Sequence, residues 1–401
     1  TDSSGTSKMS ALKSATHQLL GMLQNAATNP GDVKVAIVPF SKDVNVGTSN
    51  VSANWIDWTD WEAPPPNGTP DPSIGPGSNC PYSSNNTGFR CTAGPTNGST
   101  NKSQIPTSGT YKGYICPGLD DGSVNSGRMG RYYNGCYNSV SSNNTTTITC
   151  TQVDNHSPNC TSVTTSGAYT GSTQPTSSRS CSGSGWQRTC TTTTITKTGA
   201  PYSHTWLVNN HSTWTGCVMD RTQDYDVENT DGVSAKFPAE NAQSCLSSTF
   251  SSLNYDWTSL SNQVDAMSAN GATNQTIGLA WGWQAQSNNT PMNAGALPDN
   301  TSQVIILLSD GLNTQNRWNG DGSNQSTDVD NRMNAVCANA KAQGIIVYTV
   351  FVDLNGTQGN SDVLENCATD TSKYFDLTTT GAITTAFTQI GQQITNLRVA
   401  Q

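Results

Sequence analysis

The sequence predicts an α/β protein: a doubly wound, mostly parallel sheet with helices on both faces, split by a large disulfide-rich, β- and loop-rich insertion. Three observations lead there. Short all-apolar runs alternate with helical periodicity near both ends of the chain; the middle is dominated by Ser, Thr, Asn, Gly and Pro; and ten of the twelve cysteines fall in that middle. Apolar strands alternating with helices imply a parallel sheet buried on both sides.

Met9, Leu12, Thr16, Leu19, Leu20 and Leu23 recur at three- and four-residue steps, predicting an amphipathic helix over 8–27 that Pro30-Gly31 stops. Val33–Phe40 is apolar on both faces after Lys34 and reads as a buried strand, with Val44–Val46 as a short edge strand after it. Between about 50 and 245 the Thr-rich stretches Thr145–Thr151 and Thr189–Lys197 favour strands. The cysteines and aromatic residues there point to a disulfide-stapled insertion rather than disorder. Periodicity returns near Trp257. Leu260, Val264 and Met267 mark one helix, closed by Asn270-Gly271, and a second spans about 274–286. Val304–Leu308 and Ile345–Val352 are buried strands separated by a helix at Met333–Ala342. A short helix near Asp362–Cys367, a small strand at Tyr374–Leu377 and a helix at 381–398 complete the chain. Residues 1–49 and 246–401 thus form the α/β unit and 50–245 the insertion.

Charged residues make up only 12% of the chain and the net charge is −9, without a basic run, which excludes phosphate-backbone partners. The twelve cysteines contain no C-x-x-C and the four histidines are not clustered with them, so disulfides are expected rather than zinc. The cystine candidates are Cys80, Cys91, Cys116, Cys136, Cys150, Cys160, Cys181, Cys190, Cys217, Cys245, Cys337 and Cys367. Disulfides imply an oxidising compartment: periplasm, cell surface or outside. No apolar run reaches the ~20 residues of a membrane helix. Thr1-Asp2-Ser3-Ser4 is polar from the first residue, so the expectation is a processed or truncated start. Without a phosphate loop, a His-Glu-x-x-His or a convincing nucleophile–base pair, a non-enzymatic role is expected.

Sites in such sheets form at the carboxyl ends of strands. Val304–Leu308 runs into Ser309-Asp310-Gly311, and Gly271-Ala272-Thr273-Asn274 offers a hydroxyl from a loop between helices. Alone, Asp310 could simply cap a turn and Thr273 could simply cap the following helix. Together, in this order, they resemble the metal-ion-dependent adhesion site of von Willebrand factor A domains. Trp214-Thr-Gly-Cys-Val-Met-Asp-Arg221, Gly271–Trp283, Leu308–Trp318, Gly344–Val350, Leu364–Ala368 and the tail from Ile390 further resemble the bacterial TadG-like family of A-domain proteins, associated with Tad (Flp) pilus assembly.

That resemblance implies a divalent cation, Mg²⁺ or Ca²⁺, held by Thr273 and Asp310. It also implies a Cys337–Cys367 disulfide, a bacterial cell-envelope or extracellular location, and protein partners at the cell surface or in the pilus machinery. Family members begin with a membrane anchor, absent from this chain, and an apolar first strand ending in an Asp-x-Ser-x-Ser-type loop. Asp2-Ser3-Ser4-Gly5-Thr6 has similar spacing, making Asp2, Ser4 and Thr6 further candidate ligands. No strand precedes them, and the alternative is that they belong to the loop after that motif. A sheet without its first strand would offer a slot for self-assembly by strand addition. In that alternative, the A fold is a scaffold in a structural surface or filament subunit. Asn319–Asp330 is a second calcium candidate, against a solvated loop; Trp55, Trp58, Trp61, Tyr132, Tyr133, Trp186 and Trp206 are a binding platform or a small core.

Overall fold

The computed structural model describes residues 7–64, 69–80, 103–116, 134–141, 143–153, 156–167, 175–198, 202–241, 245–354, 356, 358 and 361–399. In chain order the elements are α1 (Lys8–Ala26), β1 (Val44–Asn45), β2 (Ile56–Asp57), α2 (Thr59–Glu62), β3 (Tyr114–Ile115), β4 (Gly135–Ser141), β5 (Asn143–Val153), β6 (Asn159–Gly167), β7 (Thr176–Ser182), β8 (Thr189–Thr198) and β9 (Tyr202–Val208). There follow β10 (Cys217–Val218), β11 (Phe237–Glu240), α3 (Trp257–Ala266), α4 (Gln275–Gln284), β12 (Val304–Ser309), α5 (Thr327–Ala342), β13 (Ile346–Val352), α6 (Asp362–Cys367), β14 (Tyr374–Leu377) and α7 (Thr380–Val399).

Strands β12, β13 and β14 form a parallel sheet in that order. Along β13 successive side chains alternate between faces. Val347 and Phe351 pack with Leu279, Met333, Val336 and Leu364 of α4, α5 and α6. Tyr348, Val350 and Val352 pack with Ala15 and Leu19 of α1 and Ile383, Phe387 and Ile390 of α7. Burial on both faces is why β13 reads as an unbroken apolar run. The architecture is mixed α/β, with this parallel C-terminal sheet accompanied by antiparallel, disulfide-rich sheets.

Val33–Phe40 does not form the regular buried strand its apolarity suggests. Val35 bridges Asn254 antiparallel, and the ladder breaks next to it because the Ser251 hydroxyl, not a carbonyl, takes the Ile37 N–H. Pro39 then offers no N–H at all. Among the described residues β12 is an edge strand, with no strand on the side away from β13.

Residues 50–245 do not hang free of the rest of the chain. Sheet β1-β10-β11-β2 joins Val44 to Val218 and Phe237 to Ile56, so its strands come from both sides of residue 50. Its side chains Trp55, Ile56, Trp61, Trp214 and Phe237 share one core with Ile277 and Trp281 of α4. A second sheet is β3-β4-β9 and a third β6-β5-β8-β7, all antiparallel. Disulfides Cys116–Cys136, Cys150–Cys160, Cys181–Cys190 and Cys217–Cys245 staple these parts, and Cys337–Cys367 ties α5 to α6. Cys80 is also disulfide-bonded, and no described cysteine is free. Cys91 lies outside the described residues, as do Tyr132 and Tyr133. Trp55 and Trp61 are core residues and Trp58 stacks on His211 at 3.7 Å, whereas Trp186 is 88% exposed.

Candidate functional site

At its carboxyl end β12 delivers Ser309-Asp310-Gly311 to the rim of the sheet. The Ser309 hydroxyl donates to the Gly311 carbonyl at 2.7 Å, and Gln275 Nε2 donates to the same oxygen at 2.9 Å. The turn is thereby stitched to the first residue of α4. Asn313, fully buried, completes the seam: its Oδ1 accepts from Gln275 N at 2.8 Å and its Nδ2 donates to Asp330 Oδ1 at 2.9 Å.

Thr273 enters from the loop before α4. Its N–H donates to Thr314 Oγ1 at 2.9 Å, and its carbonyl accepts from Thr314 N at 2.9 Å. Its hydroxyl points at the turn, 3.8 Å from where a Cβ on Gly311 would stand. The helix cap is not Thr273 but Asn274, whose side chain accepts from Ile277 N. The Thr273 hydroxyl is therefore not committed to capping α4. The Thr273 hydroxyl thus faces Gly311, the residue after Asp310.

The Asp310 carboxylate is 59% exposed, with Lys8 Nζ 3.6 Å from Oδ2; the same ammonium donates to the Asp310 carbonyl at 2.9 Å. Asp2, Ser4 and Thr6 lie outside the described residues. Among the described residues no three His, Cys, Asp or Glu side chains are grouped to hold a metal ion. The donors in place are one carboxylate and one hydroxyl, oxygen ligands of the kind a hard divalent cation takes.

Asn319–Asp330 is not a free loop throughout. Thr327 onward is the first turn of α5, and Asp330 is buried, accepting from Asn313 and from Gln325 Nε2 at 2.8 Å. Asp321 accepts from Asn324 N at 2.8 Å, from Asn324 Nδ2 at 2.7 Å and from Ser323 N at 2.8 Å, and these bonds hold its carboxyl down at about 2.

Sequence reasoning missed the polar seam beneath the rim. Asn274 Nδ2 donates to both Asp220 oxygens, at 3.1 and 2.9 Å, and Asn274 N donates to Ser41 O at 3.1 Å. Arg317 N also donates to Asp220 Oδ2 at 3.1 Å, while Arg317 Nη2 reaches Asp60 Oδ2 at 2.6 Å. Burial, reinforced by the nearby Asp226 charge, pushes the Asp220 carboxyl up to about 6 against these donors. Arg332 holds Asp226 through Nε at 2.9 Å and through Nη2, and a buried Lys42–Glu240 pair lies at 3.4 Å. In a chain this poor in charge, the adjacent opposite charges Asp220-Arg221 and Lys42-Asp43 were the available signal.

Residues 243–389 match the family described as von Willebrand factor type A domain. No curated protein matches the chain. Among solved structures, similarity extends to the vWF domain of the type V pili tip protein Mfa5 from Porphyromonas gingivalis (16% identity, 36% of this chain and 74% of that one, TM-score 0.28). It extends also to proximal thread matrix protein 1 from the mussel byssus (18% identity, 35% of this chain and 29% of that one, TM-score 0.25). A third is the pilus adhesin SpaC from Lactobacillus rhamnosus GG (14% identity, 37% of this chain and 23% of that one, TM-score 0.28). This chain therefore spans under a third of the mussel and SpaC chains. Superposition this loose carries no argument about ligand or partner. The family match itself covers the stretch that holds the parallel strands, the Thr273 loop and the Asp310 turn.

Proposed function

We propose that the protein is a non-enzymatic binding protein of the bacterial cell envelope or exterior, TadG-like and associated with Tad-type pilus assembly. In this reading its rim takes Mg²⁺ or Ca²⁺. The observation that carries it is the Thr273 hydroxyl facing the Asp310-Gly311 turn at the carboxyl end of β12. Thr273 and Asp310 would be ligands, with Asp2, Ser4 and Thr6 completing the oxygen set. A bound cation supplies an electrophilic site for an acceptor oxygen of a protein partner. The chain's own residues fix the two loops: Gln275, Asn313 and Thr314 hold the turn against the Thr273 loop. The α/β unit would comprise 1–49 and 246–401, with 50–245 as a cysteine-rich insertion that makes the contacts only in the alternative, scaffold reading. Disulfides at this density support an oxidising compartment. No described helix is long and apolar enough to cross a membrane.

One contact favours a second reading, in which the A domain is a scaffold in a structural surface subunit. Lys8 already sets a positive charge beside Asp310. The experiment is a titration of the intact chain with Mg²⁺, Mn²⁺ and Ca²⁺, following thermal stability. A saturable rise in melting temperature that Asp310→Ala abolishes supports the cation site. Curves unchanged by all three ions leave the scaffold reading.

A further inference from the structure

Among the described residues the sheet β6-β5-β8-β7 has no further strand beyond β6 or β7, and the side chains of both edge strands are exposed wherever described. A free edge presents a row of N–H and C=O groups to any other strand, and folds usually blunt it with charge, proline, a bulge or a cover. The nine residues of β6, Asn159–Gly167, carry no charge and no proline, and they pair with β5 in unbroken register. The Cys150–Cys160 disulfide joins directly opposed residues 4.0 Å apart at Cα, the close spacing of a non-hydrogen-bonded pair. The backbone of Cys160 therefore turns away from β5, and by the period of two so do those of Ser162 and Thr164. Val163 sits between them at the midpoint of the strand, its side chain 58% exposed.

We propose that β6 is the contact for a second copy of this chain. Two β6 strands pair antiparallel about a twofold axis at Val163, continuing one four-stranded sheet into the other. In this register Val163 meets Val163 of the other copy as a non-hydrogen-bonded pair, where side chains come closest. Ser162 and Thr164 exchange backbone hydrogen bonds across the axis, and no charged side chain on β6 opposes another. The β7 edge fails the same test. Its midpoint is Arg179, so a twofold pairing there sets guanidinium against guanidinium, and none of the four strands carries a carboxylate to neutralise them. The Cys150–Cys160 cross-link fixes the β6 edge in advance, so pairing costs little ordering of that strand.

The test is sedimentation velocity of the intact oxidised chain over rising concentration, in chelator, so that the outcome is separate from the cation site. The expected result is a reversible monomer–dimer equilibrium. Val163→Lys should weaken it by roughly tenfold or more, while Val153→Lys, at the exposed end of β5, should leave it unchanged. Mild oxidation of Val163→Cys should give a covalent dimer; Ser162→Cys, on the opposite face and facing Thr164, should not. A chain that stays monomeric at every soluble concentration overturns the proposal. So does a dimer indifferent to Val163→Lys, or equal cross-linking by both cysteine variants.

Discussion

Lys8, the first residue of α1, lies against Asp310, the residue that follows β12, with its ammonium 3.6 Å from the carboxylate and bonded to the carbonyl behind it. A cation approaching Asp310 meets this charge first. Replacing Lys8 by Gln should strengthen Mn²⁺ or Ca²⁺ binding, by up to roughly fivefold given the ~1 kcal/mol ceiling for exposed pairs. Asp310→Ala should abolish it. Isothermal titration calorimetry of the two variants reads both effects, and retained binding in Asp310→Ala would remove the rim from consideration.

Asp220 makes stability depend on pH in a defined direction. Its folded-state carboxyl sits at about 6, above the ordinary 3.8, chiefly because it is buried. A raised carboxyl contributes stability that is present below the ordinary value and lost as pH rises through about 6. Asp220→Asn should flatten this loss, which is on the order of 3 kcal/mol between pH 4 and 7. Urea midpoints of wild type and variant at both pH values decide it; parallel pH profiles would show that Asp220 is not the group responsible.

The Cys337–Cys367 bridge closes a segment with a sequence separation of 30 and ties two buried helical positions. Changing both to Ala should lower unfolding free energy by about 2–4 kcal/mol. Equal denaturation curves for bridged protein and double variant would contradict this.

Two helical glycines should respond with opposite signs. A Cβ at Gly278 would stand 2.6 Å from the Phe40 ring, where α4 passes the Val33–Phe40 segment, so Gly278→Ala should cost about 1–3 kcal/mol. At Gly21 in α1 nothing lies within 4 Å, and Gly21→Ala should gain up to about 1 kcal/mol. Thermal unfolding of the two variants is the check.

What could be read from the sequence was whatever burial imposes locally. The run Ile345–Val352 announces β13 because both faces of that strand are covered. Periodicity gave the elements that Thr273 and Asp310 flank, α4 and β12, but not a role for either residue. The first turn of α5 was not, since Thr327, Asp328 and Asp330 look like loop residues until Asn313 and Gln325 pair with Asp330. Val33–Phe40 misled in the other direction, because apolarity reports burial but not which group accepts each N–H. Least visible were contacts between distant polar residues: nothing periodic links Asp220 to Asn274, or Trp55 and Phe237 to Trp281.

Asp220 lies more than fifty residues before Asn274, yet it holds Asn274, the neighbour of Thr273, through both carboxylate oxygens. Tension on the segment around Asp220 would thus be delivered next to Thr273 before it was shared with the parallel strands.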